Sequence, residues 1–145
     1  MHPFPHRYQV GVRATPDAPL TLAGEGLPAL ESLPPPQFGG PGGYWSPETM
    51  LTAAVGDCVL LTFRAIARAS KFEWREATAD VESVLVRFEG NSRFTRIHTR
   101  VRLLVPPGTD AARARLLMEK AEKGCLISNS LTAERHLECE VVEAA

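Results

Sequence analysis

Ser46-Pro47-Glu48-Thr49-Met50-Leu51-Thr52-Ala53-Ala54-Val55-Gly56-Asp57-Cys58-Val59-Leu60-Leu61 is the stretch on which the fold turns. Ser46 can cap the first free amides of a helix, and Pro47 is preorganised for the first helical position. Glu48 adds a favourable charge at the positive end of that helix. From Met50 to Leu61 the apolar run is broken only at Thr52, Gly56 and Asp57, so the spacing predicts a central buried helix. Asp57, Arg64 and Arg68 fall on one face, at spacings of seven and four, and mark its contact with solvent or polar partners.

Upstream of this helix, Leu33 to Pro47 is rich in Pro and Gly, which excludes helix or central strand and leaves a loop carrying Phe38, Tyr44 and Trp45. A loop of that length inside a small domain favours a lid over a linker. Residues 8 to 33 alternate around a break at Thr15-Pro16-Asp17-Ala18-Pro19 and predict a strand, a turn and a strand.

Downstream, residues 77 to 89 predict a strand, residues 89 to 93 a turn, and Phe94 to Val105 a strand whose core face is Ile97, Thr99, Val101, Leu103 and Val105. Its other face, Arg96, His98, Arg100 and Arg102, suits either a nucleic-acid stripe or, more commonly, the charged outer face of a one-sided sheet. Pro106-Pro107-Gly108 ends that strand. Thr109 or Asp110 then caps a second helix reaching about Lys123, with Gly124 at the position of a left-handed C-terminal residue. Cys125 follows, then a short helical segment over 127 to 131, and a last strand in which Leu137, Cys139 and Val141 alternate with His136, Glu138 and Glu140. The order β-β-loop-α-β-β-α-β predicts an α+β fold with antiparallel pairing.

The length of 145 residues suits one domain spanning 1–145, and 44% hydrophobic with 23% charged residues predicts a packed core. Sixteen Lys plus Arg against seventeen Asp plus Glu give a net charge of -1, which argues against nucleic acid or an anionic membrane as partner. The opening Met1-His2-Pro3-Phe4-Pro5 lacks the order of a signal peptide and no membrane-length apolar run is evident, so a cytoplasmic location is expected.

Cys58, Cys125 and Cys139 are odd in number and lack close metal-type spacing, so they read as thiols in a reducing compartment, with no metal. Cys58 inside the apolar helix is either a small hydrophobe or a reactive thiol. Cys125, after a helix-ending Gly and before a short helix, is placed where free amides can stabilise a thiolate. Cys139 points inward between Leu137 and Val141 and reads as structural. Two thiols in different environments permit a redox cycle in which one is oxidised to a sulfenic acid and the other resolves it as a disulfide.

The segment Ser46 to Cys58, together with Glu122-Lys123-Gly124-Cys125-Leu126-Ile127-Ser128-Asn129-Ser130-Leu131, closely resembles the OsmC/Ohr family of peroxide-reducing proteins, and the similarity covers nearly the whole chain. The resemblance implies an OsmC-like α+β fold with antiparallel sheets, a long central helix and a second helix, in an intertwined homodimer. It further implies reduction of organic hydroperoxides or hydrogen peroxide without a cofactor. Carried over, Cys58 is the peroxidatic thiol and Cys125 the resolving one.

The family also uses a Glu at the start of the central helix to hold an Arg that stabilises the thiolate. Glu48 stands in that place, where its alternative role is a favourable charge at a helix N-terminus. In the first hairpin, Val10-Gly11-Val12-Arg13-Ala14-Thr15 lacks the paired glycines that precede the Arg of organic hydroperoxide resistance members; Arg13 approximates that Arg, with Arg7 a second candidate. Asp57 stands where small or neutral residues are common, and Leu126 replaces a frequent Pro. Ten helical residues separate Glu48 from Cys58, roughly 15 Å at the helical rise. Glu48 is therefore expected to serve the partner subunit's Cys58 in a composite site, or to reach its own through an Arg from another element.

Phe38, Tyr44 and Trp45 are expected either to close an apolar pocket over a substrate's alkyl chain or to pack at a dimer interface. The leading expectation is a thiol peroxidase that a dithiol reductant returns to the reduced state. The alternatives are a small-molecule or lipid-binding protein with vestigial cysteines, and a thiol redox sensor that oxidises without turnover.

Overall fold

Helix α1, Pro47–Ala69, begins where its capping residues dictate. In the computed structural model, which describes residues 1–145, the Thr49 amide donates to Ser46 Oγ at 3.1 Å and the Ser46 amide donates to Thr49 Oγ1 at 2.8 Å. The reciprocal pair is a capping box with Thr in place of the usual Glu or Gln. The chain divides into two compact units, Met1–Leu51 and Thr52–Ala145, with the division inside α1.

The first unit carries β1 (Gly11–Arg13), β2 (Leu20–Ala23) and β3 (Leu30–Ser32), an antiparallel sheet in that order with Val12 opposite Leu22 and Thr21 opposite Glu31. The strand-turn-strand expected over 8 to 33 thus gains a third strand, too short for its alternation to register. The Pro/Gly stretch is an ordered loop: it holds a single 3₁₀ turn at Pro36–Phe38, and the Leu33 amide donates to the Trp45 carbonyl at 3.0 Å. Within this unit Ser32, Pro35 and Ser46 are buried, whereas Tyr8, Val10, Val12, Phe38, Tyr44 and Trp45 are exposed.

The second unit holds the rest of α1 with β4 (Glu76–Phe88), β5 (Asn91–Val105), α2 (Ala111–Lys123), the single turn α3 (Leu126–Asn129) and β6 (Glu134–Glu143). β4 and β5 form a hairpin whose turn is only Glu89-Gly90, with φ of 50° and 82°, the left-handed pair that a two-residue hairpin turn requires. Asp110 caps α2 by accepting from the Ala112 and Arg113 amides at 3.0 and 3.3 Å.

One pairing departs from the antiparallel expectation: β6 runs parallel to β5, with Val101 opposite Cys139 and Leu103 opposite Val141. The α2–α3 segment between them is a crossover connection, which returns the chain in the same direction. The α+β class stands, with one mixed sheet in the order β4-β5-β6.

The core lies between this sheet and the helices: Val59, Phe63 and Ala67 of α1 meet Val101, Leu103 and Val105 of β5 and Ala114, Leu117, Met118 and Ala121 of α2. Phe63 stands edge-on to Phe72 and Trp74, at centroid distances of 6.3 and 5.4 Å. On length and composition alone α1 is apolar enough to cross a membrane, a property that core helices share. Its apolar surface is not buried all round as its pattern predicts: the stripe Val55, Val59, Phe63, Ala67 is buried while Leu61 remains 50% exposed. Asp57, Arg64 and Arg68 face solvent as expected. The charged face of β5 is answered by β6, with Arg100 Nε at 3.0 Å and His98 Nε2 at 3.2 Å from Glu138 Oε2. That pairing is what an outer sheet face needs.

Candidate active site

Two close approaches bring the cysteine segments together. A Cβ built on Gly124 would lie 3.6 Å from Cγ2 of Thr62, in ordinary van der Waals contact, and 3.3 Å from the Lys120 carbonyl oxygen, so α2 ends against α1 with room for little more than a methyl group. Gly124 has φ −86° and ψ 0°, not the left-handed conformation expected of it; its use is closeness. Thr62 lies one turn beyond Cys58, so the residue after Gly124 arrives beside the sulfur of Cys58.

Cys125 is fully buried and is the N-cap of α3, its Sγ accepting from the Ser128 amide at 3.5 Å. Its thiol also lies 3.9 Å from the Val55 carbonyl of α1, as a donor. Cys58 is half-buried, with Sγ 4.0 Å from Thr62 Oγ1. Burial pushes the Cys58 thiol up, but hydrogen bonds from the Ile127 amide, the Cys125 thiol, Thr62 and the Leu126 amide outweigh it, and the net displacement is below the ordinary thiol value. Burial pushes Cys125 up, only partly relieved by Ser128, and the neighbouring Cys58 pushes it up further. The pair is therefore asymmetric: Cys58 ionises first, and Cys125 keeps its proton, which rotation about its C–S bond can turn from the Val55 carbonyl to the Cys58 sulfur. Such a pair can attack an electrophilic oxygen or sulfur through Cys58 and close a disulfide through Cys125.

A model of the OsmC-like protein family matches residues 40–140, well over half of the chain and across both cysteine segments. The chain belongs to the OsmC-like family. Among curated relatives, the Bacillus subtilis (strain 168) protein YmaD is 27% identical over 109 residues, 73% of each chain. Among solved structures, an OsmC-like protein from Vibrio cholerae, VCA0330, superposes with a TM-score of 0.79 at 17% identity, covering 94% of this chain and 99% of its own. An organic hydroperoxide resistance protein from Elizabethkingia anophelis gives 0.74 at 21% identity, covering 97% and 100%. These likenesses show the OsmC-like fold.

In this OsmC-like chain the remaining expected site residues belong to the first unit. Arg13 is exposed in β1, and Glu48 is half-buried in the first turn of α1. Phe38 lines an apolar cleft of about 240 Å³ with Leu20, Leu33, Pro34, Pro35 and Pro47, while Tyr44 and Trp45 flank a shallower one beside Thr49. Asp57, exposed on α1, is not among the groups that displace the Cys58 thiol. Cys139 is half-buried against the core, and burial raises its thiol, as a structural cysteine's should be.

Two residues of the site went unread in the sequence. Thr62 carried a signal, since it stands four residues after Cys58 on one helical face. Arg135 carried another: it occupies the inward parity of β6, opposite the buried Ile97, where an apolar residue is expected.

Proposed function

We propose that this chain is a cytoplasmic, thiol-dependent peroxidase that reduces organic hydroperoxides, and hydrogen peroxide with them, in defence against oxidative stress. The observation that carries the proposal is the contact between a Cys58 thiol lowered by hydrogen bonds and a buried Cys125 thiol that keeps its proton. Membership of the OsmC-like family and a fold shared with an organic hydroperoxide resistance protein support the choice of substrate class.

The Cys58 thiolate attacks the terminal peroxide oxygen; an S–O bond forms, the O–O bond breaks, and the alkoxide leaves as alcohol after taking a proton from solvent. Cys58 is now a sulfenic acid. The Cys125 sulfur attacks the Cys58 sulfur, an S–S bond forms, and the hydroxyl leaves as water with the proton of Cys125. A dithiol reductant then takes up the oxidising equivalents by exchange and restores both thiols. By family resemblance, Glu48 orients Arg13, whose guanidinium stabilises the Cys58 thiolate across the two subunits of a homodimer. Phe38, Tyr44 and Trp45 give the alkyl chain of the substrate an apolar wall.

The test is peroxide consumption by the reduced protein with excess dithiol, cumene hydroperoxide against hydrogen peroxide. Multiple turnovers are expected, with Cys58→Ser abolishing them and Cys125→Ser leaving a sulfenic acid that accumulates or over-oxidises. A single oxidation without turnover identifies a redox sensor instead. No oxidation by a folded protein, with full cellular function in Cys58→Ser, identifies a binding protein.

A further inference from the structure

Arg135 is a charged side chain on the inward face of a sheet, where desolvation is costly unless every donor finds a partner. It and Glu122 are only 26% and 17% exposed at the side chain, and they are joined by Nε to Oε1 at 2.6 Å. A second guanidinium nitrogen donates to the Glu122 carbonyl, and Nη1 donates to Asn129 Oδ1 at 2.7 Å. Glu122 is in the last turn of α2 and Asn129 is the last residue of α3, so one guanidinium grips both sides of the turn that carries Cys125. The grip reaches the cysteine itself: its amide donates to the same Glu122 carbonyl at 3.2 Å, and its carbonyl accepts from the Asn129 amide at 2.9 Å. Asn129 Nδ2 closes the loop on the Lys123 carbonyl at 3.2 Å.

We infer that Arg135 is a positioning residue that sets the effective concentration of the Cys125 thiol at Cys58, by fixing the α2–α3 turn through Glu122 and Asn129. The inference rests on the reading of Cys58 and Cys125 as a dithiol pair. Its consequence reaches both steps: the turn that Arg135 fixes carries the Cys125 thiol that resolves the oxidised sulfur and also the Ile127 and Leu126 amides that face the Cys58 thiol. A planar fork is needed because three acceptors on two helices are held at once, which a lysine cannot do.

The experiment is equilibration of the full chain with reduced and oxidised glutathione. The Cys58 thiolate opens glutathione disulfide, releasing one glutathione thiol; Cys125 then displaces the second, so two protein thiols become one disulfide and one glutathione disulfide becomes two thiols. The effective concentration is expected to fall at least about tenfold in Arg135→Ala, to recover in part in Arg135→Lys, and to fall by less in Asn129→Ala. Asn129→Ala keeps the Glu122 ion pair and is the deciding variant should Arg135→Ala not fold. Equal effective concentrations in wild type and folded variants overturn the inference, as does a wild type that forms no internal disulfide. A wild type that forms the disulfide with glutathione but turns over no peroxide removes the proposed function and leaves the role of Arg135 standing.

Discussion

A thiolate inside a protein needs hydrogen-bond donors that the thiol did not, and Thr62 supplies one by changing partners. Its hydroxyl donates to the Cys58 carbonyl at 2.7 Å, leaving the oxygen lone pairs toward a sulfur 4.0 Å away. When Cys58 ionises, rotation of the hydroxyl turns that donor to the sulfur, while the Ile127 and Leu126 amides already face it. Because the folded protein holds Cys58 below the ordinary thiol value and Cys125 above it, a pH window exists in which only Cys58 is ionised. Alkylation followed by peptide mass should therefore label Cys58 first, with a rate that rises with pH through a midpoint below that of a free thiol. Thr62→Val should move the midpoint upward and Thr62→Ser should leave it near wild type. An unmoved midpoint in Thr62→Val assigns the whole effect to the amides.

At the scale of elements, what was legible in the sequence was local. The Ser46-Pro47 start of α1, the cap of α2 at Thr109 or Asp110 and the alternation of β5 each depend on residues a few positions apart; the first and last formed as read, and the cap fell to Asp110. Family resemblance, not periodicity, singled out Cys58 and Cys125 as partners, since their meeting depends on how α1 and α2 cross. The parallel β5–β6 pairing and the grip of Arg135 are likewise set by elements far apart in sequence and left only an inward charge as a trace. Gly124 shows how a correct residue can be read for the wrong reason: a Gly after a helix commonly signals a left-handed turn, and here it signals contact with Thr62. A branched side chain at 124 must displace that contact. Gly124→Val should cost about 1–3 kcal/mol in urea unfolding, and it should slow disulfide closure as well, whereas Gly124→Ala should fall within about 1 kcal/mol of wild type. Equal unfolding midpoints for Gly124→Val and wild type would show that α1 and α2 yield at this crossing without cost.

At the scale of the whole molecule, the apolar surface asks for a partner. Among apolar side chains the first unit buries only Pro35, while Tyr8, Val10, Val12 and Phe38 are each more than half exposed. A small three-stranded sheet draws its stability from packing its apolar face. Along α1, Leu61 is half-exposed beside a fully buried Phe63, so the helix has a second apolar side that one chain leaves open. A second copy of the chain is the partner always present at the right stoichiometry, and dimerisation is what the proposed composite site of Glu48 and the partner subunit's Cys58 requires. Sedimentation equilibrium should give twice the mass of the 15.8 kDa chain. Thermal unfolding should rise in midpoint with protein concentration, since dissociation and loss of the first unit then belong to one transition. Mixing Glu48→Ala with Cys58→Ser subunits supplies the functional arm: a heterodimer that pairs the two variants regains one intact composite site, so peroxide turnover should reappear on mixing. A stable monomer with full turnover would return Glu48 to the role of a helix N-terminal charge.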